Sequence, residues 1–190
     1  MTTIYFVRHA HSTYTPDERE RPLSEKGWQD ADRVTEVLKN EPIDVVIASP
    51  YKRAIQTVEG VAKHFQLSIE LEEDVRERLL SLQPVQDFKQ AITKVWKNPS
   101  FHIEGGESNV IAQGRGVSCI MKILEKYKGK NIVIGTHGNI MVLIMNYFDS
   151  KYDFSFWKGL HMPDIYKLTF VDNQLVQADQ LWKEDFVKNV

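Results

Sequence analysis

At 190 residues, 42% of them hydrophobic and 26% charged, the chain is long enough to bury a substantial core within one domain and has the balance of an ordinary globular protein. A formal charge of −2, with no long Lys/Arg run or basic patch interleaved with aromatics, gives no reason to expect a nucleic-acid partner, and no apolar run approaches membrane-spanning length. The single cysteine, Cys119, rules out an internal disulfide and the chain enters a strand at Thr3 without a charged and then apolar leader, so the expectation is a cytoplasmic protein of unknown oligomeric state.

From the N-terminus, Ile4-Tyr5-Phe6-Val7 predicts a buried strand over residues 3–8 that delivers Arg8-His9-Ala10-His11-Ser12 at its end. A helix follows from Ser24 to Lys39. Ile43-Asp44-Val45-Val46-Ile47-Ala48 reads as a second buried strand. Beyond it, Ser49 suits the N-cap and Pro50 the first turn of a helix to His64, with Ile55, Val58, Val61 and Ala62 at helical spacing. Arg53 then lies in that helix's first turn, at the carboxyl edge of the sheet. After a short strand at 69–71, Val85, Phe88, Ile92, Val95 and Trp96 predict a helix over Pro84–Trp96, stopped by Asn98-Pro99. Ser108 caps a long helix to Tyr127, with Gly129 at its exit. A strand at 131–135 then leads through Thr136-His137-Gly138-Asn139 into an apolar helix. Strands near 165–171 and 174–180, joined by Asp172-Asn173, form a hairpin. The alternation predicts an α/β fold over residues 1–190: a three-layer α/β/α sandwich with a mostly parallel central sheet and an antiparallel edge.

Three strand ends therefore converge, bearing Arg8-His9, Arg53 and His137, where ligands bind open α/β sheets. A neutral imidazole beside a guanidinium can attack phosphorus while the guanidinium holds the phosphoryl oxygens. Cys119 sits among Val117, Ile120, Met121 and Leu124 at helical spacing and reads as core. A cysteine-dependent phosphatase would need an arginine six residues on, and position 125 is Glu. The histidines show neither His-x-x-x-His nor Asp-rich spacing, so no metal is expected.

The ordered set closely resembles the histidine phosphatase superfamily, the phosphoglycerate mutase-like proteins. Their signature is an Arg-His pair after the first strand, a Ser-x-x-x-Arg-Ala-x-Gln-Thr segment (here Ser49 to Thr57) and a late His-Gly (His137-Gly138). Pro22-Leu23-Ser24-Glu25-Lys26-Gly27 and Gly105-Gly106-Glu107-Ser108 resemble two further family segments. The resemblance spans most of the chain. It implies that His9 is the nucleophile and forms a phosphohistidine, that Arg8 and Arg53 bind the transferring group, and that His137 adds a donor. A helix starting at Gly138 would aim backbone N–H groups at the anion. Glu77 matches the family's acid, with Glu73 and Asp74 as neighbouring carboxylates, and Ser12 its hydroxyl after the Arg-His pair, able to donate to phosphate or to cap the following turn. The implied activity is a metal-independent, cofactor-free phosphatase acting on a small phosphorylated metabolite.

Glu107 and Ser108 read either as pocket residues or as a helix cap, His11 and His161 as substrate contacts or ordinary loop histidines, and Trp28 and Trp157 as core or rim. Ala10 and His11 stand where many members have Gly followed by Glu or Gln. Thr13-Tyr14-Thr15-Pro16 lacks the Asn usual in mutases, and Arg78-Leu79-Leu80-Ser81 after Glu77 lacks their Gly and Trp. These departures favour hydrolysis over the alternative of a phosphoglycerate mutase, whose catalytic core would be the same. A binding domain that keeps the fold without turnover is the second alternative. The short segment from Leu79 to Gly105 implies a more open pocket than in longer mutases.

Overall fold

A computed structural model describes residues 1–184, so residues 185–190 of the expected domain lie outside it. Six strands are present among the described residues: β1 (Thr2–Arg8), β2 (Val45–Ala48), β3 (Ile69–Leu71), β4 (Asn131–Thr136), β5 (Asp164–Val171) and β6 (Gln174–Gln180). The helices are α1 (Glu25–Leu38), α2 (Lys52–Phe65), α3 (Phe88–Lys97), α4 (Asn109–Lys126), α5 (Gly138–Phe148) and α6 (Phe154–Lys158).

The strands form one sheet in the order β3-β2-β4-β1-β5-β6, parallel from β3 through β1 and antiparallel at β5 and β6. The alternation of side chains along β1 divides the core. Ile4 and Phe6 join Ile120, Leu124, Ile140 and Ile144 of α4 and α5, whereas Tyr5 and Val7 join Val34, Leu38, Val58 and Val61 of α1 and α2. Covering the sheet on both faces is what makes its central strands continuous apolar runs. Gly116 lets α4 close on α5, since a Cβ there would lie 2.7 Å from Ile144 Cγ1. Among the described residues no helix is long and apolar enough to cross a membrane.

Ser24 caps α1 at the start the sequence predicts, and Ser108 caps α4 as expected, accepting from Gly27 N and Ile111 N at 3.1 Å each. Three boundaries differ by two residues or more. The second strand starts at Val45 because the Asp44 carboxylate turns aside to accept from the Asn131 N–H at 2.8 Å. Helix α2 starts at Lys52, with Tyr51 at its N-cap, and Ser49 is not the cap. Helix α3 starts at Phe88 rather than Pro84, where Asp87 accepts from Gln90 N at 2.9 Å and satisfies an otherwise open donor. A 3₁₀ turn at Glu73–Val75 and the five-residue α6 are too short to leave a periodic signal.

Candidate active site

Because β2, β4 and β1 are adjacent, their carboxyl ends lie side by side. The His9 N–H donates to Thr136 O at 3.0 Å, and the Ser49 N–H to Gly135 O at 2.9 Å. His9, His137 and Arg53 are thereby brought into one buried cluster, the two imidazoles edge to face with centroids 5.2 Å apart.

His9 Nδ1 lies 2.8 Å from the carbonyl oxygen of Ala10 and must carry the proton to donate to it. That leaves a lone pair on Nε2, which Arg53 Nε approaches at 3.4 Å. Burial, and then the charges of Arg53, Arg8 and Arg21, press the His9 pKa down to about 3, opposed by its bond to Ala10. The imidazole is therefore neutral in the resting protein, as a nucleophile must be.

His137 is wholly buried, and burial followed by the His9, Arg53 and Arg8 charges holds its pKa well below the usual histidine range. Its Nε2 lies 2.9 Å from Ser49 Oγ, and that hydroxyl also accepts from the Tyr51 N–H at 3.3 Å. His137 Nδ1, on the other side of the ring, is a buried atom with no partner among the described residues. Ser49 thus holds the His137 ring rather than capping a helix.

Arg8 donates through Nη1 to the carbonyls of His161 at 2.9 Å and Leu160 at 3.3 Å, while its buried Nε has no partner. Gly138 makes room for it, since a Cβ there would lie 2.9 Å from Arg8 Nε. Arg53, 5% exposed, donates through Nη1 to Glu18 O at 2.7 Å and places Nη2 3.3 Å from the Glu18 carboxylate. Burial lowers the pKa of both arginines, with the negative charge of Glu77 opposing it at each.

Glu77 corrects one expectation. Helix α5 does begin at Gly138, yet Glu77 accepts the N–H groups of Asn139 at 3.0 Å and Ile140 at 2.9 Å, so those donors do not face an open anion site. A helix N-terminus attracts the nearest carboxylate, and Glu77 fills that role. It also accepts from the Arg78 N–H at 2.8 Å and, more loosely, from Asn139 Nδ2 at 3.4 Å. Glu73 and Asp74 pair with Arg19 and Arg76 instead.

The pattern that describes the histidine phosphatase superfamily (branch 1) matches residues 4–177. The chain belongs to the histidine phosphatase superfamily. Among curated relatives, phosphoglycerate mutase-like protein 4 of Arabidopsis thaliana is 29% identical over 154 residues, 73% of this chain and 67% of that protein. Phosphoserine phosphatase 1 of Hydrogenobacter thermophilus is 23% identical over 150 residues, 72% of this chain and 71% of that protein. Among solved structures, phosphoserine phosphatase from Entamoeba histolytica in complex with 3-phosphoglyceric acid superposes with a TM-score of 0.80 at 16% identity, covering 97% of this chain and 98% of the other. Bacillus stearothermophilus YhfR gives 0.77 at 22% identity, covering 93% and 95%.

Around this superfamily core the remaining sequence candidates separate. Ser12 sits at the base of the loop after β1, in a bridge to Leu23. His11 is exposed and bonded to the Ser24 hydroxyl at 2.7 Å, while His161 contributes its carbonyl to Arg8 and its ring to Glu184. Glu107 forms a two-point bond with Arg115 and accepts from Leu79 N at 3.1 Å, fixing the base of the segment that carries α3. Trp96 of α3 donates to Asn139 Oδ1 at 3.1 Å, which lands that helix on the first turn of α5. Trp157 packs against the core and stacks on Phe154, whereas Trp28 is 40% exposed. Cys119 is buried, its thiol pushed up to about 12 chiefly by desolvation.

The depressed His9 pKa has a consequence for stability. Between the unfolded value near 6.5 and the folded value of about 3, the unfolded chain takes up a proton that the folded chain refuses. The stabilisation is complete above pH 6.5 and is lost as pH falls. At pH 5 this residue alone costs about 2 kcal/mol, and His137 acts in the same direction. Urea unfolding at pH 7 and pH 5 should show a loss larger by roughly that amount in the wild type than in His9→Gln. Equal losses would mean that His9 titrates as an ordinary imidazole.

Proposed function

We propose that this protein is a phosphatase that hydrolyses a small phosphomonoester through a phosphohistidine on His9, without metal or cofactor. The observation that carries the reading is the neutral His9, its Nδ1–H held by Ala10 and its Nε2 left beside the Arg53 guanidinium. The Nε2 lone pair attacks phosphorus, the ester P–O bond breaks, and the leaving oxygen takes a proton from Glu77. Water then attacks the phosphohistidine, giving a proton back to Glu77 as the P–N bond breaks and inorganic phosphate leaves. Arg8, Arg53 and His137 stabilise the charge that spreads over the nonbridging oxygens, and Gly138 keeps Arg8 in place. Ser12, at the loop base, is a further donor to the bound phosphate.

Charge neutralisation here falls to guanidinium groups, and among the described residues no three His, Cys, Asp or Glu side chains gather as metal ligands would. The similar proteins named for phosphoserine, and the one holding 3-phosphoglyceric acid, support a small phosphorylated acid as substrate. The absence of the mutase Asn after Ser12 and of the mutase Gly and Trp after Glu77 favours hydrolysis over the alternative of a cofactor-dependent phosphoglycerate mutase, which returns the phosphoryl group to substrate.

Incubating the protein with phosphoserine, 3-phosphoglycerate and other small phosphomonoesters in EDTA tests the reading. Inorganic phosphate should be released, and orthovanadate, which adopts the trigonal bipyramidal shape of the transferring group, should block it. Activity lost in EDTA and restored by a divalent ion would refute metal independence. Conversion of 3-phosphoglycerate to its 2-isomer would make the protein a mutase, and no turnover of any ester would leave a binding domain.

A further inference from the structure

The loop from Thr13 to Pro22, between β1 and α1, carries an arginine that the mechanism above does not use. Its base is closed by the Thr13 N–H on Pro22 O at 2.8 Å and by the Ser12–Leu23 bridge. Farther out, the Lys52 N–H donates to Arg19 O at 2.8 Å, and the Arg19 guanidinium meets both carboxylate oxygens of Glu73 at 3.1 and 2.9 Å. These contacts hold the loop backbone over the start of α2, next to Arg53.

Within this fixed frame, one carboxylate is shared by two guanidinium groups. Glu18 accepts from Arg21 Nη2 and lies 3.3 Å from Arg53 Nη2, the same Arg53 whose Nε reaches His9. The Arg21 guanidinium lies over the Tyr14 ring, 5.1 Å from its centroid, and its Nε is a buried donor with no partner among the described residues. Arg21 is close enough for its charge to act on both His9 and Arg53. A buried guanidinium N–H left open beside a nucleophile is costly unless an anion uses it at some stage of the cycle. The Glu18 side chain itself is 56% exposed and carries a single charge, so a phosphomonoester dianion is the stronger partner for the same pair of forks.

We propose that Arg21 is a third phosphoryl-binding guanidinium of this site, held by Glu18 in the free protein and turned onto the phosphoryl group when substrate binds. This deepens the phosphatase reading and rests on it. The Glu18 backbone carbonyl stays on Arg53 Nη1, so only the carboxylate has to give way and the loop need not open.

Calorimetric titration with orthovanadate and with inorganic phosphate tests this without requiring turnover. Arg21→Met should weaken binding of both by at least about tenfold, the usual loss for one charge-assisted hydrogen bond, and Arg21→Lys should restore only part of it. Glu18→Gln should instead tighten binding, since it removes the competing charge, and that gain should vanish in the Arg21→Met background. If the ion pair served only to brace the loop, Glu18→Gln and Arg21→Met would both weaken binding alike, and the proposal would fail. It would also fail if Arg21→Met bound both anions within about twofold of wild type. Phosphate release by the unmodified protein is scored separately. A protein that binds orthovanadate but hydrolyses no ester sinks the phosphatase reading, whereas full hydrolysis by Arg21→Met sinks Arg21 alone.

Discussion

His9→Ala should abolish phosphate release, lowering kcat/KM by at least about 10⁴-fold, because it removes the atom proposed to form the P–N bond. The fold should survive. His9 stands just past β1, held by its backbone bond to Thr136, and its ring meets Arg53 and His137. The variant should therefore melt cooperatively with native circular dichroism. Substrate labelled in the phosphoryl group should leave an acid-labile, base-stable label on the wild type, and none on His9→Ala. A folded His9→Ala protein that releases phosphate at a near wild-type rate would exclude the phosphohistidine route. Orthovanadate should still bind this variant, since Arg8, Arg53 and His137 remain, and that separates loss of the nucleophile from loss of the cradle.

The strand ends that carry this chemistry were legible because buried parallel strands are dense in Ile, Val and Phe, and the residue that follows each run is fixed by where the run stops. Arg8, His9 and His137 follow directly from β1 and β4. Arg53 follows from the first turn after β2, although the sequence put that helix two residues too early. Sequence could not show which ends are neighbours. The order β2-β4-β1 is a property of crossovers, and it is what puts Ser49 within reach of His137, 88 positions away in the chain. Ser49 before Pro50 has the local signature of a cap, so its bond to His137 left no trace. The Glu18-Arg19-Glu20-Arg21 run reads as a solvated charged loop, because alternating signs are what such loops carry. Only the fold reveals that one of its arginines turns inward. Glu77 was legible through family resemblance, but its bond to the start of α5 joins residues 62 and 63 positions apart and has no sequence signal.

That bond makes Glu77→Gln a test with two readouts. Glutamine keeps the size of the side chain but offers one acceptor oxygen and an NH₂ group where two oxygens now meet the N–H groups of Arg78, Asn139 and Ile140. At least one of those donors then faces another donor, so unfolding stability should fall by about 1–2 kcal/mol. This loss acts on the protein before any substrate arrives and slows all substrates alike. The loss of a proton donor does not. Alkyl phosphates leave as strongly basic alkoxides and should slow by about 10²-fold or more, whereas p-nitrophenyl phosphate, whose phenolate departs without full protonation, should slow much less. The ratio of the two effects thus removes the contribution of the cap and isolates the acid. Equal slowing would reduce Glu77 to a helix cap and water activator. No slowing on either ester would transfer the acid role to Asp74, Glu73 or Glu107, each of which would first have to leave its arginine partner, Arg76, Arg19 or Arg115.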